Sequence, residues 1–254
     1  LVLNNCIAPG ANAGLGIANQ VSGYAGVFSG SLMGAVSPAI ITREGAGNRS
    51  GMVRLAVKTC KFTVFLTLFL VIPLGIDGEP LLKLWLKTPP PYTYSFIRLT
   101  LLSLVIGQST IGVAAAIGAY GNIKWPSIVA ACCLLPVVPL GWLSLNFGLS
   151  PSWVVVWLSI ANLGVVLTHV VFARRYVHFQ VSQWLRDSIL PCLFAALPAI
   201  LISVPILYWL PAGFLRFCVV GLASAIVLLV IGWLVVLDCA ERGLVLSRLR
   251  VYFG

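Results

Sequence analysis

Three uncharged amide side chains lie near the start of the chain, within a long and mostly apolar stretch: Asn12, Asn19 and Gln20. An amide in such a stretch needs hydrogen-bond partners. One interpretation is that these groups form hydrogen bonds between tightly packed helices. The other is that they line a wet cavity for a hydroxyl-rich ligand such as a sugar. The sequence leaves both open.

A second set of polar side chains lies in the stretch 94–120. Arg98 and Ser109 are eleven residues apart there, which is about three helical turns, so they face the same way. A guanidinium can hold phosphate oxygens through two hydrogen bonds, although Arg98 is also close enough to the end of the stretch to extend to lipid headgroups. The candidates for a polar substrate cavity are therefore Asn12, Asn19, Gln20, Arg98, Gln108 and Ser109.

Small residues recur at a spacing of four in the first apolar stretch, at Gly14, Ala18, Ser22, Gly26, Gly30 and Gly34. Small side chains on one helix allow a neighbouring backbone to approach closely. We therefore expect Gly26, Gly30 and Gly34 to serve helix packing.

The sequence contains few residues that could catalyse a reaction or bind a metal. The acidic residues lie at the edges of the apolar stretches or outside them, and His169 and His178 lie near one end of a predicted span, where an interfacial position is expected. The seven cysteines lack metal-ligand spacing and are expected to be mostly small buried side chains. No nucleophile–base pair or phosphate-binding glycine loop is present. The sequence predicts neither an enzyme nor a metal or cofactor site.

Composition defines the class of protein. Of 254 residues, 60% are hydrophobic and 9% are charged, and the mean hydropathy is +1.04. Soluble domains contain about 45–50% apolar and about 25% charged residues. This difference excludes an ordinary soluble globule and a nucleic-acid-binding domain, and it indicates an all-α integral membrane protein.

Seven complete spans can be drawn if each needs about 20 apolar residues. They cover about 11–41, 56–76, 94–120, 125–146, 152–173, 187–209 and 213–237. Residues 1–8 look like the end of a truncated helix. The whole chain, 1–254, then forms a single transmembrane domain.

The basic residues that give the net charge of +10 are interpreted as indicators of membrane topology. Twelve of the 16 Lys and Arg residues fall in the segment 43–61, in two further connections on the same side, and in the tail. By the positive-inside rule that side is cytoplasmic. We thus expect a cytoplasmic loop at 42–55 and a cytoplasmic tail at 238–254.

Two connections have a pattern of their own. Arg54, Lys58 and Lys61 share one helical face, so residues 52–62 are expected to form a helix lying on the cytoplasmic membrane surface. The apolar segment 81–86 is too short to cross and is expected to lie at the outer surface, anchored by Trp85 and Lys87.

Ordered short motifs along the chain resemble those of bacterial polysaccharide-export flippases of the Wzx type. They are NAGLGIANQV (12–21), AVSPAII (35–41), KF (61–62), LKLWL (82–86), PY (91–92), FIRL (96–99), GNIK (121–124), ILP (189–191) and FLRF (214–217). Each motif is short, and the preserved order and spacing of the set carry the resemblance. It covers the second half of such proteins.

This resemblance implies a MATE-like helical bundle with two lobes around a cleft, of which this chain supplies the C-terminal lobe. It implies transport of an undecaprenyl-pyrophosphate-linked oligosaccharide across the bacterial inner membrane, from the cytoplasmic to the outer leaflet, for O-antigen or capsule assembly. The implied partners are that glycolipid, membrane lipids and the missing N-terminal lobe. Two alternatives stay open: a MATE-type multidrug or cation exporter, and a membrane protein fragment that transports nothing.

Overall fold

Every regular secondary-structure element in the described part of the chain is a helix. The computed structural model describes residues 10–238 and 241–243. Numbered in order within these residues, the helices are α1 (Gly10–Gly45), α2 (Arg49–Leu86), α3 (Thr93–Gln108), α4 (Ile111–Tyr120), α5 (Lys124–Leu134), α6 (Val137–Asn146), α7 (Ser152–Val177), α8 (Val181–Trp184), α9 (Leu190–Trp209) and α10 (Phe214–Ile231). A π-helical turn joins α8 to α9 at Leu185–Ile189, and a second extends α10 at Gly232–Val236.

The membrane-spanning count agrees with the sequence. Six helical segments are long and apolar enough to cross a membrane, and the bent pair α3–α4 makes a seventh if it crosses as one span. The predicted all-α membrane bundle is thereby confirmed.

One predicted span is bent and another has an irregular turn. The third span bends by 42° between α3 and α4, at Ser109 and Thr110, and α4 ends before Gly121, whose φ of 88° suits glycine. The fourth stays a single span, Lys124–Asn146, and its backbone remains helical at Leu135 and Pro136, which separate α5 from α6. Proline has no backbone N–H, which accounts for the interrupted hydrogen bonding there.

The connection predicted at 42–55 is much shorter than expected. Helix α1 continues to Gly45 and α2 begins at Arg49, so only residues 46–48 lie between them. Polar contacts close this turn: Arg49 forms an ion pair with Glu44 at 2.6 Å, and Asn48 accepts a hydrogen bond from the Gly51 N–H at 2.9 Å. The charged residues that suggested a long loop are helical residues at the ends of α1 and α2.

The surface helix predicted at 52–62 was wrong. These residues are the first turns of the continuous helix α2, and they are packed on the bundle because Met52, Ala56 and Cys60 are buried. The apolar segment 81–86 also belongs to α2, and Leu82 within it is buried. Helix α2 is broken only at Asp77, whose backbone is non-helical and which lies between Pro73 and Pro80.

Helix α2 is the centre of the bundle. Half of its most apolar stretch is buried, compared with 17–28% for the other five spanning segments. Its first turns pack with α4 and α7, its middle with α9 and α10, and Leu82 with α1 and α3. Successive spans run in opposite directions. We call the end where α1 meets α2 and α7 meets α8 the basic end, since it carries Arg43, Arg49, Arg54, Arg174 and Arg175.

The small-residue row of α1 does not form a single packing face. A Cβ at Gly14 would lie 2.9 Å from Thr93 Oγ1, and one at Gly26 would lie 3.8 Å from Leu104 Cδ1. A Cβ at Gly30 or Gly34 would have no described atom within 4 Å. A spacing of four advances about 40° beyond a full turn at each step, so Gly14 and Gly34 face nearly opposite sides of α1.

Two expectations fall largely outside the described residues. The helix end expected at 1–8 lies outside them, as does the tail expected at 238–254 apart from Asp238 and 241–243.

Candidate functional site

A polar cleft of about 310 Å³ lies between α1, α3, the start of α4, and α7. Its polar lining residues all carry uncharged amide or hydroxyl groups, and they are Asn19, Ser22, Thr100, Ser103, Gln108 and Asn162. No charged residue is among the described residues that line it. The cleft therefore offers both donors and acceptors of hydrogen bonds without a fixed charge.

Helical periodicity places these side chains. Asn19 and Ser22 are three residues apart on α1, Leu158 and Asn162 are four apart on α7, and α3 contributes residues from Thr100 to Gln108 at similar spacings. Residues three or four apart lie on the same helical face. Each helix thus turns one polar face towards the cleft.

Hydrogen bonds fix part of the lining. Asn162 donates its Nδ2 to Ser103 Oγ at 2.6 Å, which ties α7 to α3. Thr100 Oγ1 donates to the Phe96 carbonyl of its own helix at 2.8 Å. These two contacts fix the Thr100 and Ser103 hydroxyl groups and leave acceptor capacity on both oxygens.

The side-chain oxygen of Gln108 is buried without a hydrogen-bond partner among the described residues. Gln108 is 8% exposed, and its Oε1 accepts no hydrogen bond from any described residue. A buried acceptor without a partner costs about 1–3 kcal/mol. Gln108 also lines the cleft, so a rotation of its side chain would offer this acceptor to a ligand or water there.

The predicted amides are only partly brought together. Asn19 and Gln108 face the same cleft. Asn12 lies seven residues before Asn19, so it shares that face of α1, but it is half-buried and lies beyond the lining residues. Gln20 is exposed and turned away from the cleft.

Arg98 and Ser109 lie on the opposite side of the third span. Arg98 precedes the cleft residue Thr100 by two positions, which is about 200° around a helix. The expectation that Arg98 and Ser109 face the same way is consistent with this arrangement. It also separates both from Asn19 and Gln108. Ser109 instead lines an apolar cavity of about 240 Å³, and its carbonyl accepts a hydrogen bond from Trp184 Nε1 at 2.9 Å.

The Arg98 guanidinium binds the break in α2. Its Nε donates to the Gly75 carbonyl at 2.8 Å, and its Nη2 lies 3.4 Å from the Ile76 carbonyl and 3.1 Å from the Tyr94 hydroxyl. Pro80 has no N–H to offer the carbonyl four residues before it, which belongs to Ile76. Arg98 therefore supplies donors where α2 lacks them.

Sequence reasoning missed Asn162. It is the one amide in the stretch 152–173, and its isolation in apolar sequence was the available signal. Its meaning depended on Ser103 being opposite, which only the fold provides.

The acidic residue Asp77 was also misjudged. It was placed at the edge of a span, yet it lies inside α2 and is 3% exposed. Arg216 of α10 binds both of its oxygens, at 2.6 and 2.8 Å. The carboxylate is therefore neutralised by a neighbouring cation and is not free to bind a transported one.

A second set of ion pairs joins α2 to the residues after α10. Lys61 is 2% exposed, and its Nζ lies 2.7 Å from Glu241 Oε2 and 2.9 Å from the Val236 carbonyl. Lys58 binds the other oxygen of Glu241, also at 2.7 Å. Burial disfavours the charged form of Glu241, but the hydrogen bonds from Lys58 and Lys61 outweigh it, so the pKa of Glu241 is lowered.

Comparison with known proteins gives one match. The MatE family model matches residues 7–143, which is just over half of the chain. The matched range includes α1 to α5 and the cleft residues from Asn19 to Gln108, while Asn162 lies beyond it. No curated protein and no solved structure matches the chain.

Proposed function

The chain belongs to the MatE family of membrane transporters, and from that premise we propose that it takes part in flipping a lipid-linked oligosaccharide. The substrate is an undecaprenyl-pyrophosphate glycan, carried from the cytoplasmic to the outer leaflet of the bacterial inner membrane by alternating access. The chain forms one lobe of the two-lobed transporter that its motifs resemble.

The uncharged polar cleft is the observation that supports this proposal. Sugar hydroxyl groups both donate and accept hydrogen bonds, and the amides and hydroxyls of Asn19, Ser103 and Asn162 do the same. The Gln108 side chain lines the same cleft and carries a buried acceptor oxygen that has no partner among the described residues. A polar passage of this kind lets a glycan cross apolar surroundings without losing all its hydrogen bonds.

The pyrophosphate needs a cationic contact. Arg98 is the candidate that the sequence offers, and it is exposed. It also holds the Gly75 carbonyl, on the far side of α3 from the cleft. The phosphate role of Arg98 stays a prediction, and the variant described in the Discussion separates it from the role at the break in α2.

A MATE-type exporter of drugs or cations is the alternative within the same family. Cation exporters need intramembrane carboxylates or an equivalent negative site. Among the described residues, Asp77 is the carboxylate buried within a spanning helix, and Arg216 neutralises it. This pairing favours a glycan over a cation as the substrate of the cleft.

The test is a transport assay in vesicles that carry a fluorescent undecaprenyl-pyrophosphate oligosaccharide. The measured quantity is the fraction of label that reaches the opposite leaflet, for the chain alone, for the chain with its upstream lobe restored, and for protein-free vesicles. Crossing that depends on the two-lobed protein supports the proposal. If folded two-lobed protein moves no labelled glycan but lowers drug susceptibility of its host, the exporter replaces it. Failure of both assays leaves the non-transporting alternative and contradicts the flippase.

A further inference from the structure

A second cavity, also of about 310 Å³, lies at the basic end of the bundle. It is formed by the first turns of α2, the end of α7 and the start of α8. It shares no lining residue with the polar cleft. Its position at the ends of three spanning segments puts it at the level of the membrane surface.

The polar side chains around this cavity can all donate hydrogen bonds. They are the side chains of Arg49, Ser50, Arg54, His178, Gln180 and Gln183, and no acidic residue is among the described residues that line it. Guanidinium groups match the oxygens of a phosphate, and hydroxyl and amide groups can add further donors. The donor set suits an oxyanion.

Arg54 supplies charge that the protein leaves uncompensated. The guanidinium of Arg49 pairs with Glu44 at 2.6 Å and lies over the Tyr120 ring at 5.0 Å. Arg54, by contrast, is exposed and forms neither an ion pair nor a hydrogen bond within the part of the chain that the structure describes. An unpaired cation in the wall of a cavity attracts an anion there, to the extent that solvent does not screen the exposed charge.

The start of α2 also lies beside the cavity. Helix α2 begins at Arg49, so the positive end of its helix dipole is there, and the Asn48 side chain already accepts a hydrogen bond from one first-turn N–H, that of Gly51. Arg174 and Arg175, in the last turn of α7, increase the positive potential of the same end.

We propose that this cavity binds a phosphate oxyanion, and that Arg54 is its principal charged contact. The phosphate is either that of an anionic lipid headgroup or a free ion, since both present the same oxygens. Basic pockets between spanning helices are suited to such headgroups. The proposal concerns binding at a site separate from the cleft and does not depend on which substrate is transported.

The test uses the purified chain in neutral detergent, with phosphatidylglycerol, phosphatidylcholine or inorganic phosphate added. Lipid retention is measured by mass spectrometry of the intact protein, and binding by the shift in Tm. We compare the unchanged chain with Arg54→Gln and with Lys124→Gln, which removes an exposed cation from the same end but outside the cavity. Because Arg54 makes no bond to the described residues, its replacement leaves the fold intact.

We expect the chain to retain phosphatidylglycerol in preference to phosphatidylcholine. Arg54→Gln is expected to weaken that binding about fivefold, because one basic residue at an anionic surface contributes about 1 kcal/mol. Lys124→Gln is expected to leave the binding within about twofold of the unchanged chain. Competition by inorganic phosphate identifies the oxyanion alone as the ligand, whereas retention of the lipid against phosphate identifies the headgroup with its chains.

A neutral variant distinguishes a built site from general attraction. Gln183→Leu removes one donor and no charge, so it weakens phosphate binding only if the anion sits in the cavity, and Gln20→Leu serves as its control outside the cavity. Equal losses in Arg54→Gln and Lys124→Gln, with no effect of Gln183→Leu, would overturn the proposal in favour of diffuse charge. So would the absence of any preference for phosphatidylglycerol and of any response to phosphate.

Discussion

Asp77 of α2 and Arg216 of α10 form a bidentate ion pair, with Nη2 to Oδ1 at 2.6 Å and Nε to Oδ2 at 2.8 Å. Nearer the start of α2, Lys61 binds Glu241 and the Val236 carbonyl, which follow α10. Helix α2 is thus tied both to the start of α10 and to the residues after its end. Because Arg98 of α3 binds the carbonyls of Gly75 and Ile76, the break in α2 also joins α3 to this pair.

The pair at Asp77 predicts a large loss of stability when one partner is removed. Asp77→Asn leaves Arg216 without its counter-ion, and breaking a buried pair in this way costs about 3 kcal/mol. The double variant Asp77→Asn with Arg216→Gln removes both charges and is expected to recover much of that loss. Thermal unfolding in detergent measures all three proteins. Additive losses in the double variant would show that the two residues act independently.

The lowered pKa of Glu241 predicts acid sensitivity. A carboxyl whose pKa is lower in the folded protein contributes stability above its ordinary value of 4.5, and that contribution disappears as the pH falls from there through the folded-state pKa. We expect Tm to drop in this acidic range. In Lys61→Met the drop becomes smaller, because one of the two lysines that lower the pKa is gone. An unchanged acid profile in Lys61→Met would contradict the assignment.

Two glycines predict opposite effects of the same substitution. A Cβ at Gly112 would collide with the carbonyl oxygen of Ala56, a backbone atom that cannot rotate away. Gly112→Ala is therefore expected to cost about 1–3 kcal/mol or more. Gly30 is exposed in the middle of α1, so Gly30→Ala gains up to about 1 kcal/mol of helix propensity. The two Tm values provide the comparison, and destabilisation by Gly30→Ala would reveal that another surface packs on this row.

Gly112 and Gly30 illustrate which features of the fold could be predicted from the sequence and which could not. Hydropathy and charge predicted the helical spans and their number, because lipid requires long apolar segments whatever their packing. To predict the contacts between spans, one must also know how each helix is rotated about its own axis. A row spaced by four looked continuous from Gly14 to Gly34 but winds around α1, while Gly112 gave no pattern of its own. The rotation of α3 also separates two of the candidate site residues, since Gln108 faces the cleft and Arg98 faces α2.

Arg98→Ala separates two roles of one side chain. If Arg98 mainly holds the break in α2, the loss of its bonds to Gly75 and Ile76 lowers stability by about 1–2 kcal/mol. Transport per folded molecule is then little changed in vesicles. If Arg98 also contacts the pyrophosphate, transport per folded molecule falls as well, in addition to the loss of stability. Arg98→Lys keeps the charge but loses the fork of donors, so its Tm is expected to lie between those of the other two proteins.

Gln108→Leu tests the cleft directly. The change removes a buried oxygen that has no partner among the described residues, so the free energy of unfolding is expected to stay the same or rise by about 1 kcal/mol. The cleft loses an acceptor and becomes more apolar. If a sugar hydroxyl binds there, glycan transport by the two-lobed protein is expected to fall at least tenfold, which corresponds to the free energy of one lost hydrogen bond. Gln20→Leu makes the same chemical change on the exposed face of α1 and should leave transport unchanged. Equal transport by both variants would remove Gln108 from the substrate path, and a loss only in Gln20→Leu would move that path to the outer face of α1.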